Sequence, residues 1–213
     1  LKLFFHPLAS FCHKVLIALY ENGTVFEPVF VDLGNARERE ALAKLWTPAK
    51  FPVLRDEARD RTVAESSIII EYLTLHYPGR VALLPADPEA ALRVRMQDRF
   101  FDLYVHHQMQ KIVLDRLRPA AQRDAFGVEQ ARQELRLAYD MLEQDMRSRT
   151  WAAGEQFTMA DCAAAPALFY ANEVQPFGES HPAVAAYFAR LAARPSYARV
   201  FEESKPYLTN FPR

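Results

Sequence analysis

Two proline-containing stretches divide the chain into segments with different secondary-structure patterns. Up to Pro78-Gly79, short strand-like apolar runs alternate with helix-like segments, whereas the chain beyond Pro85-Ala86-Asp87-Pro88 shows no strand-like pattern. Such a change at Pro- and Gly-containing segments is typical of a domain boundary. We therefore expect an α/β domain at residues 1–78, a linker at 79–87 and an all-helical domain at 88–213.

The first segment has the element order βαβ followed by ββα. Short runs of β-branched and aromatic residues predict strands, and apolar residues three and four positions apart predict helices. The predicted strands cover residues 3–5, 25–31, 52–54 and 61–63, and the predicted helices cover 11–22, 36–46 and 66–77. This order is typical of a small α/β domain with a mixed sheet.

The second segment predicts an all-α fold. Leu92, Met96, Phe100, Leu103 and Tyr104 lie on one face of a first long helix. Apolar residues repeat at threes and fours over 128–146, which predicts a second long helix. The segment 158–161 has capping-box spacing, with an aspartate in the place usually taken by Glu or Gln. Further helices are predicted at 182–193 and 195–203, each with proline near its first turn.

Charge and cysteine content exclude several classes of protein. The 26 Lys and Arg nearly balance the 27 Asp and Glu, so we do not expect a nucleic-acid partner. The apolar run at 162–171 contains Pro166 and is shorter than the ~18 residues of a membrane span, so no membrane association is expected. A strand-like start at 1–5 and only two cysteines predict no signal peptide, no disulfide framework and a cytoplasmic location.

A Phe-Pro-Val-Leu segment followed by a Glu-Ser-Ser helix start indicates a receptor for a small peptide with an ammonium and a carboxylate. Pro52 has no N–H and can follow a cis bond, so Phe51 can keep its amide and carbonyl free for an extended ligand. The Ser66 and Ser67 hydroxyls and the first-turn amides favour a carboxylate, and Glu65 can accept from the ammonium. Each piece alone also fits a turn and a capped helix without a ligand; their order and spacing favour the ligand site.

The loop after the first strand places a hydroxyl and a thiol at the start of the first predicted helix. A helix N-terminus stabilises a nearby negative charge by roughly 0.3–1 kcal/mol, so a bound thiol beside Ser10 would ionise more readily. Ser10 could donate a hydrogen bond to that thiolate, or serve as a plain N-cap. Cys12 could form a mixed disulfide, or pack in the core, since it lies on a helix with an apolar face.

Motifs for metal, dithiol and nucleotide chemistry do not occur in the sequence. Cys12 does not begin a C-x-x-C motif, and His106 and His107 are adjacent on a predicted helix, where they would not readily share one metal ion. Six glycines in all form no phosphate-binding motif. We therefore predict no metal.

These features together resemble the cytosolic glutathione S-transferase family, in particular bacterial members with serine in the first loop. The most specific matches are residues 51–54 with Glu65-Ser66, and the box at 157–161, and the similarity covers nearly the whole chain. The resemblance implies a thioredoxin-like N-terminal domain, a helical C-terminal domain and a homodimer that binds glutathione between the domains.

The resemblance also assigns residues to glutathione by position. Phe51 would pair its main chain with the cysteinyl part, beside a cis-Pro52. Glu65 and Ser66 would hold the γ-glutamyl end, while Ser10 would stabilise the thiolate.

Three further residues are assigned in the same way. Lys50 and Trp46 would face the glycine carboxylate. Asp102 resembles an acidic residue that reaches across the dimer to the ammonium of glutathione in several relatives, although an acidic residue on a solvated helix face would look the same in sequence.

The leading hypothesis is a detoxifying transferase that activates glutathione as a thiolate for attack on an electrophilic, largely apolar substrate. We expect the second-substrate site between the first loop and the long helix. Its candidate residues are Leu8, Phe11, Tyr104, His107 and Gln108.

One departure from the family pattern and two alternatives accompany this hypothesis. Many relatives with serine chemistry carry the hydroxyl one position earlier, where this chain has Ala9. One alternative is a glutathione-dependent isomerase or thiol reductase that uses Cys12. The other is a non-catalytic, transferase-like module that contacts other proteins.

Overall fold

Four short strands form one mixed sheet, with the strand order β2-β1-β3-β4. The computed structural model describes residues 1–212. The strands are β1 (Lys2–Phe5), β2 (Glu27–Phe30), β3 (Val53–Asp56) and β4 (Arg61–Ala64). Strand β1 runs parallel to β2 and antiparallel to β3, which pairs antiparallel with β4. A helix connects the parallel pair and a short turn connects β3 to β4, as the two pairing geometries require.

Three helices complete the first part of the chain: α1 (Ser10–Asn22), α2 (Ala36–Leu45) and α3 (Ser66–His76). Helix α1 ends at Gly23, which has a φ of 60°, a left-handed conformation that glycine adopts without steric cost. Most of α1 is buried, because it contacts α3 on one side and helices of the second part on the other. The first loop, at the N-terminal end of α1, therefore lies between the two parts of the molecule.

The second part consists of helices. They are α4 (Pro88–Phe100), a π-helical turn (Phe101–His106), α5 (His107–Arg116), α6 (Ala125–Met146), α7 (Met159–Val174), α8 (Pro182–Ala192) and α9 (Pro195–Ser204), with 3₁₀ turns at 120–122 and 205–210. The predicted fold class, an α/β domain with a mixed sheet followed by helices, is confirmed. None of the helices in residues 1–212 has the length and apolarity that crossing a membrane requires.

The predicted capping box at the start of α7 is also confirmed. Oδ2 of Asp161 accepts from the Thr158 amide at 2.8 Å, and the Thr158 side chain accepts from the helix backbone in return. Oδ1 of the same carboxylate accepts from Ala152 N–H at 2.8 Å and from the Tyr187 hydroxyl at 2.6 Å. The box therefore ties the start of α7 to α8 and to the preceding loop.

The apolar face predicted on the first long helix does not point into the core. Leu92, Met96, Leu103 and Tyr104 are each at least half exposed, and within this set only Phe100 is buried. The buried face of α4 and the π-helical turn carries smaller or acidic residues as well as aromatic ones, among them Val94, Asp98, Phe101, Asp102 and Val105. Hydrophobic spacing alone could not distinguish this core face from an exposed apolar face.

The predicted division into residues 1–78, 79–87 and 88–213 stays a prediction, and Arg213 lies outside the described residues. All four predicted strands differ in their bounds from those observed, and two of the differences matter here. The strand predicted at 25–31 is shorter, and β3 begins at Val53 rather than at Pro52. Proline has no N–H to donate, so it cannot extend the β3 ladder.

Candidate functional site

A cleft of about 260 Å³ lies between the sheet, the start of α3 and the helices α4 and α5. It brings together all the residues that were predicted to hold glutathione: Trp46, Lys50, Phe51, Pro52, Glu65, Ser66 and Asp102. These residues come from three separate segments of the chain. The rest of the wall consists of Phe11, Arg99, Leu103, His106, His107 and Gln110.

One edge of the cleft is the loop before β3. The peptide bond between Phe51 and Pro52 is cis, as the sequence analysis expected. The β3 ladder begins at Val53, so the amide and carbonyl of Phe51 lie outside the sheet pairing. The Phe51 side chain packs against a small core around Val31 and Leu42, which anchors the loop. The main chain of Phe51 is therefore placed where an extended ligand can pair with it.

The opposite edge is the N-terminus of α3. Glu65 is the N-cap residue and has a φ of 68°, a backbone conformation that a non-glycine residue seldom adopts and that is concentrated at functional sites. Ser66 follows at the first helical position and is 6% exposed. The free amides of the first turn and the positive end of the helix dipole favour a carboxylate here.

A buried ion network fixes this helix start from behind. The Lys14 ammonium donates to Oγ of Ser67 at 2.9 Å and to Oδ2 of Asp102 at 2.9 Å. Ser67 in turn donates to Oδ2 of Asp98 at 2.6 Å. Arg99 donates to Asp102 at 2.6 Å from the solvent side. The network joins α1, α3 and the long helix, and it holds the buried hydroxyl of Ser67 between Lys14 and Asp98.

Asp102 thus lies in the cleft wall but not on a solvated helix face. It is 7% exposed, and both of its carboxylate oxygens accept from Lys14 of the same chain. Its predicted reach toward a ligand in the partner subunit stays a prediction.

Ser10 is buried and does not itself line this cleft, but it contacts a histidine that does. Its Oγ lies 3.0 Å from Nδ1 of His106, which comes from the π-helical turn and lines the cleft. Phe11 packs edge-on against the same imidazole, with 4.5 Å between the ring centroids. Burial, together with the positive charges of Lys14 and His107, lowers the pKa of His106 to about 4. The ring is therefore neutral near pH 7 and carries one N–H.

His106 is not among the site residues predicted from the sequence. A π-helical turn inserts a residue into the helix and is frequent at functional sites. Here the insertion spans Asp102 and His106, and both side chains face the cleft. The signal in the sequence was a pair of adjacent histidines, but the pattern contained nothing that predicted the turn.

Only some of the second-substrate candidates reach the cleft. Phe11 and His107 line it, whereas Leu8, Tyr104 and Gln108 do not. Tyr104 stacks on Phe100 at 5.7 Å, and Gln108 is buried and accepts from Lys111. On this helix the wall is a stripe with ordinary helical spacing, formed by Arg99, Asp102, Leu103, His106, His107 and Gln110.

Cys12 is placed where it cannot react readily. Its side chain is fully buried, and burial raises the pKa of the thiol to about 12. The thiolate is the reactive form of cysteine, so this position is unfavourable for the redox role that Cys12 could have had. Among residues 1–212, no group of three or more His, Cys, Asp or Glu side chains is arranged to hold a metal ion.

Comparisons with known proteins match both parts of the chain to one family. Residues 1–74 match the family described as "Glutathione S-transferase, N-terminal domain", and residues 100–195 match "Glutathione S-transferase, C-terminal domain". Glutathione S-transferase 3 of Zea mays is 30% identical over 207 residues, which cover 93% of this chain and 92% of that protein. A stringent starvation protein A homolog of Pasteurella multocida is 28% identical over 208 residues, 97% of this chain and 92% of the relative.

A solved structure has the same fold. The glutathione S-transferase of Methylobacterium radiotolerans, crystallised in complex with glutathione sulfonate, superposes with a TM-score of 0.79 at 29% identity. The superposition covers 93% of each chain.

Proposed function

This chain belongs to the glutathione S-transferase family, and from that premise we propose that it activates glutathione as a thiolate for attack on an electrophilic, largely apolar substrate. One observation carries the proposal: all seven residues predicted to hold glutathione line a single cleft. Glutathione fits this cleft as a co-substrate, because the cleft has free main-chain groups at one edge and a helix N-terminus at the other. In the proposed role the conjugation is a detoxifying reaction.

The proposed pose uses both charged ends of the tripeptide. The glycine carboxylate lies near Lys50, with Trp46 beside it. The cysteinyl main chain pairs with Phe51 in the manner of a strand. The γ-glutamyl carboxylate is held by Ser66 and the first-turn amides of α3, and Glu65 accepts from the ammonium.

The proposed thiolate stabilisation depends on the Ser10–His106 contact. The neutral His106 ring has one N–H, which donates to Oγ of Ser10. The Ser10 O–H is then free to donate to the glutathione sulfur, and the N-terminus of α1 adds a favourable dipole. A hydrogen bond to the charged form lowers the pKa of a thiol, so the thiolate population rises at neutral pH.

The second substrate is proposed to lie on the other wall of the cleft. Phe11 and the half-exposed Leu103 give this wall an apolar surface. His107 and Gln110 add polar groups at the same wall. An apolar electrophile with a polar leaving group matches this lining.

A homodimer is proposed from the exposed surface of α3 and α4. Ile68, Leu75, Leu92 and Met96 are 54%, 74%, 60% and 58% exposed, and exposed apolar residues concentrated on two adjoining helices favour a protein interface. A pair of hydrogen bonds, each 2.8 Å, joins Arg95 on α4 to Glu71 on α3 and so holds the two helices as one face. Both cysteines are free thiols, which supports the proposed location in the reducing cytoplasm.

A second candidate function is a non-catalytic interaction module. One observation favours it: a relative that is 28% identical over most of the chain is named a stringent starvation protein A homolog and not a transferase. Such a module need not bind glutathione, so affinity separates the two candidates. The Cys12 reductase alternative has no comparable support, because the thiol is fully buried.

The test combines calorimetric titration of reduced glutathione with steady-state conjugation to an aromatic halide. We expect saturable binding, and we expect Ser10→Ala to lower kcat/KM about ten- to a hundred-fold, because a hydrogen bond to a charged group contributes ~1.5–3 kcal/mol. The control is Ser148→Ala, which removes an exposed hydroxyl. Absence of binding at millimolar glutathione would favour the interaction module, and full activity of Ser10→Ala would remove Ser10 from the mechanism.

A further inference from the structure

Four aromatic rings from distant segments meet beside the glutathione cleft. His6 follows β1, Phe30 ends β2, Phe51 precedes the cis-proline, and Tyr207 belongs to the 3₁₀ turn at 205–210. The His6 ring centroid lies 5.1 Å from that of Phe30, 6.0 Å from that of Phe51 and 5.5 Å from that of Tyr207. His6 is therefore the ring that the other three share.

The backbone of the first loop fixes the orientation of His6. The amide of Leu8 donates to Nδ1 of His6 at 3.1 Å. Burial lowers the pKa of His6, despite the opposing effect of Asp32, so Nδ1 is available as an acceptor at neutral pH. His6 thus couples the loop that carries Ser10 to the ring of Phe51.

The contact with Phe51 bears directly on the cleft. The two rings are nearly parallel, with 20° between their planes, and Phe51 supplies the main-chain groups that are proposed to pair with glutathione. The cleft does not include His6 or Tyr207. Both rings therefore act on the ligand only through Phe51.

Tyr207 braces this arrangement from the side of the helical part. Its ring packs edge-on against His6 at 72° and stacks on Phe30 at 29° with 5.9 Å between centroids. Phe30 remains 45% exposed, so the contacts of Tyr207 with His6 and Phe30 lie near the surface. Aromatic pairs at these separations are favourable beyond their buried area.

We propose that His6 is a positioning residue for glutathione binding: its ring, braced by Tyr207, holds Phe51 in the orientation in which the Phe51 main chain pairs with the tripeptide. This role rests on the proposed function, because the aromatic cluster supports the edge of the cleft where Phe51 is proposed to pair with glutathione. The second substrate is proposed to lie on the opposite wall.

The test compares His6→Leu, Tyr207→Leu and the double variant with Tyr207→Phe, which keeps the ring and serves as the matched control. In the first two variants we expect the KM for glutathione to rise about five-fold, the size of one lost aromatic contact. We expect kcat at saturating glutathione and the KM of the electrophile to stay within about two-fold. Tyr207→Phe should match the wild type.

The double variant examines whether the two rings act on the same step. Since Tyr207 acts through His6, the double variant should raise the glutathione KM about as much as His6→Leu alone. If the double variant raises the KM by the product of the two single-variant factors, the bracing role is overturned. If His6→Leu fails to fold, as judged by circular dichroism, the Tyr207→Leu and Tyr207→Phe pair still decides the question.

Calorimetry of the wild type keeps this inference distinct from the proposed function. If the wild type does not bind glutathione, the proposed function fails. If the wild type binds and the Leu variants bind equally well, or if kcat falls while glutathione KM is unchanged, only the positioning role of His6 is overturned.

Discussion

The ammonium of Lys14 lies 2.6 Å from Oδ1 of Asp98, and the two side chains are only 1% and 2% exposed. Lys14 belongs to α1 and Asp98 to α4, so this ion pair joins the two parts of the molecule in its interior. Asp102 is a second carboxylate on the same ammonium, at 2.9 Å. A buried charge that loses its partner destabilises the folded state, because water no longer compensates the charge.

We predict that Lys14→Met destabilises the fold by about 3–5 kcal/mol, because it leaves two buried carboxylates without their shared cation. Urea unfolding measures the change. Lys44→Met, at an exposed position of α2, is the control and should be nearly neutral. Adding Asp98→Asn to Lys14→Met should recover part of the loss; a double variant less stable than the single one contradicts the shared-cation account.

A second prediction concerns the turn between β3 and β4. Asp56 is fully buried and accepts from the hydroxyls of Tyr77 at 2.6 Å and Tyr72 at 2.7 Å. Burial alone would raise the pKa of this carboxyl, but these hydrogen bonds and one from the Arg59 amide hold the pKa below the ordinary value of 3.8. A lowered folded-state pKa contributes stability above the ordinary carboxyl pKa, and this stability is lost as pH falls through the lowered value.

We therefore expect Asp56→Asn to be ~2 kcal/mol less stable than the wild type at neutral pH, since hydrogen bonds to a charged acceptor are lost. The difference should shrink as the pH falls below the ordinary carboxyl value of 3.8. Urea unfolding at neutral and at acid pH measures the stability difference between the two proteins and how it changes with pH. A difference that stays constant with pH would show that the carboxylate charge is not involved.

His106 is predicted to support catalysis as a neutral hydrogen-bond donor. His106→Asn keeps an N–H near the position of Nδ1 and should retain most of kcat/KM, whereas His106→Leu should lose about ten-fold, the value of one hydrogen bond in the site. Because the pKa of His106 is about 4, the wild-type pH profile should show no inflection from this group between about pH 5 and 8. Equal activity of the Asn and Leu variants would argue against the donor role.

Cys12 is predicted to be inert in the folded protein. Its side chain is fully buried and its pKa is about 12, so a thiol reagent should modify it only after unfolding. Cys12→Ala should leave conjugation unchanged. Mass spectrometry after incubation with oxidised glutathione checks this prediction. A mixed disulfide on Cys12 of the native protein would contradict it and restore the reductase alternative.

The exposed surface of α3 and α4 is predicted to be the dimer interface. Met96→Glu places a charge in its middle and should weaken the dimer about a hundred-fold or more. Leu137→Glu, at an equally exposed position of α6 (58% in both cases), should leave the association unchanged. Sedimentation velocity over a concentration series measures both. A Met96→Glu protein that remains as dimeric as the wild type would place the interface elsewhere.

Sequence and structure agree best where a motif acts through its own backbone. Phe51-Pro52 predicted a cis bond beside free main-chain groups, and the cis bond is present. Thr158 and Asp161 predicted a capping box, which forms as expected. In each case the interacting residues are at most three positions apart in the chain, so local backbone stereochemistry is sufficient to bring them together.

The second-substrate wall shows where such reasoning stops. Tyr104, His107 and Gln108 were candidates for this wall, but of the three only His107 lines the cleft. Helical periodicity predicts which residues share a face, but it does not predict which face borders the cleft. That depends on how the long helix packs against the rest of the molecule.

The sequence by itself determined the fold class, the loop at Phe51-Pro52 and the starts of α3 and α7, because these follow from local backbone chemistry and hydrophobic pattern. The tertiary structure alone decided that Lys14 and Ser67 form one buried network with Asp98 and Asp102, and that His106 lies against Ser10. Those partners are 53, 88 and 96 positions apart. Contacts at such separations depend on how α1 packs against the long helix, which no single segment encodes.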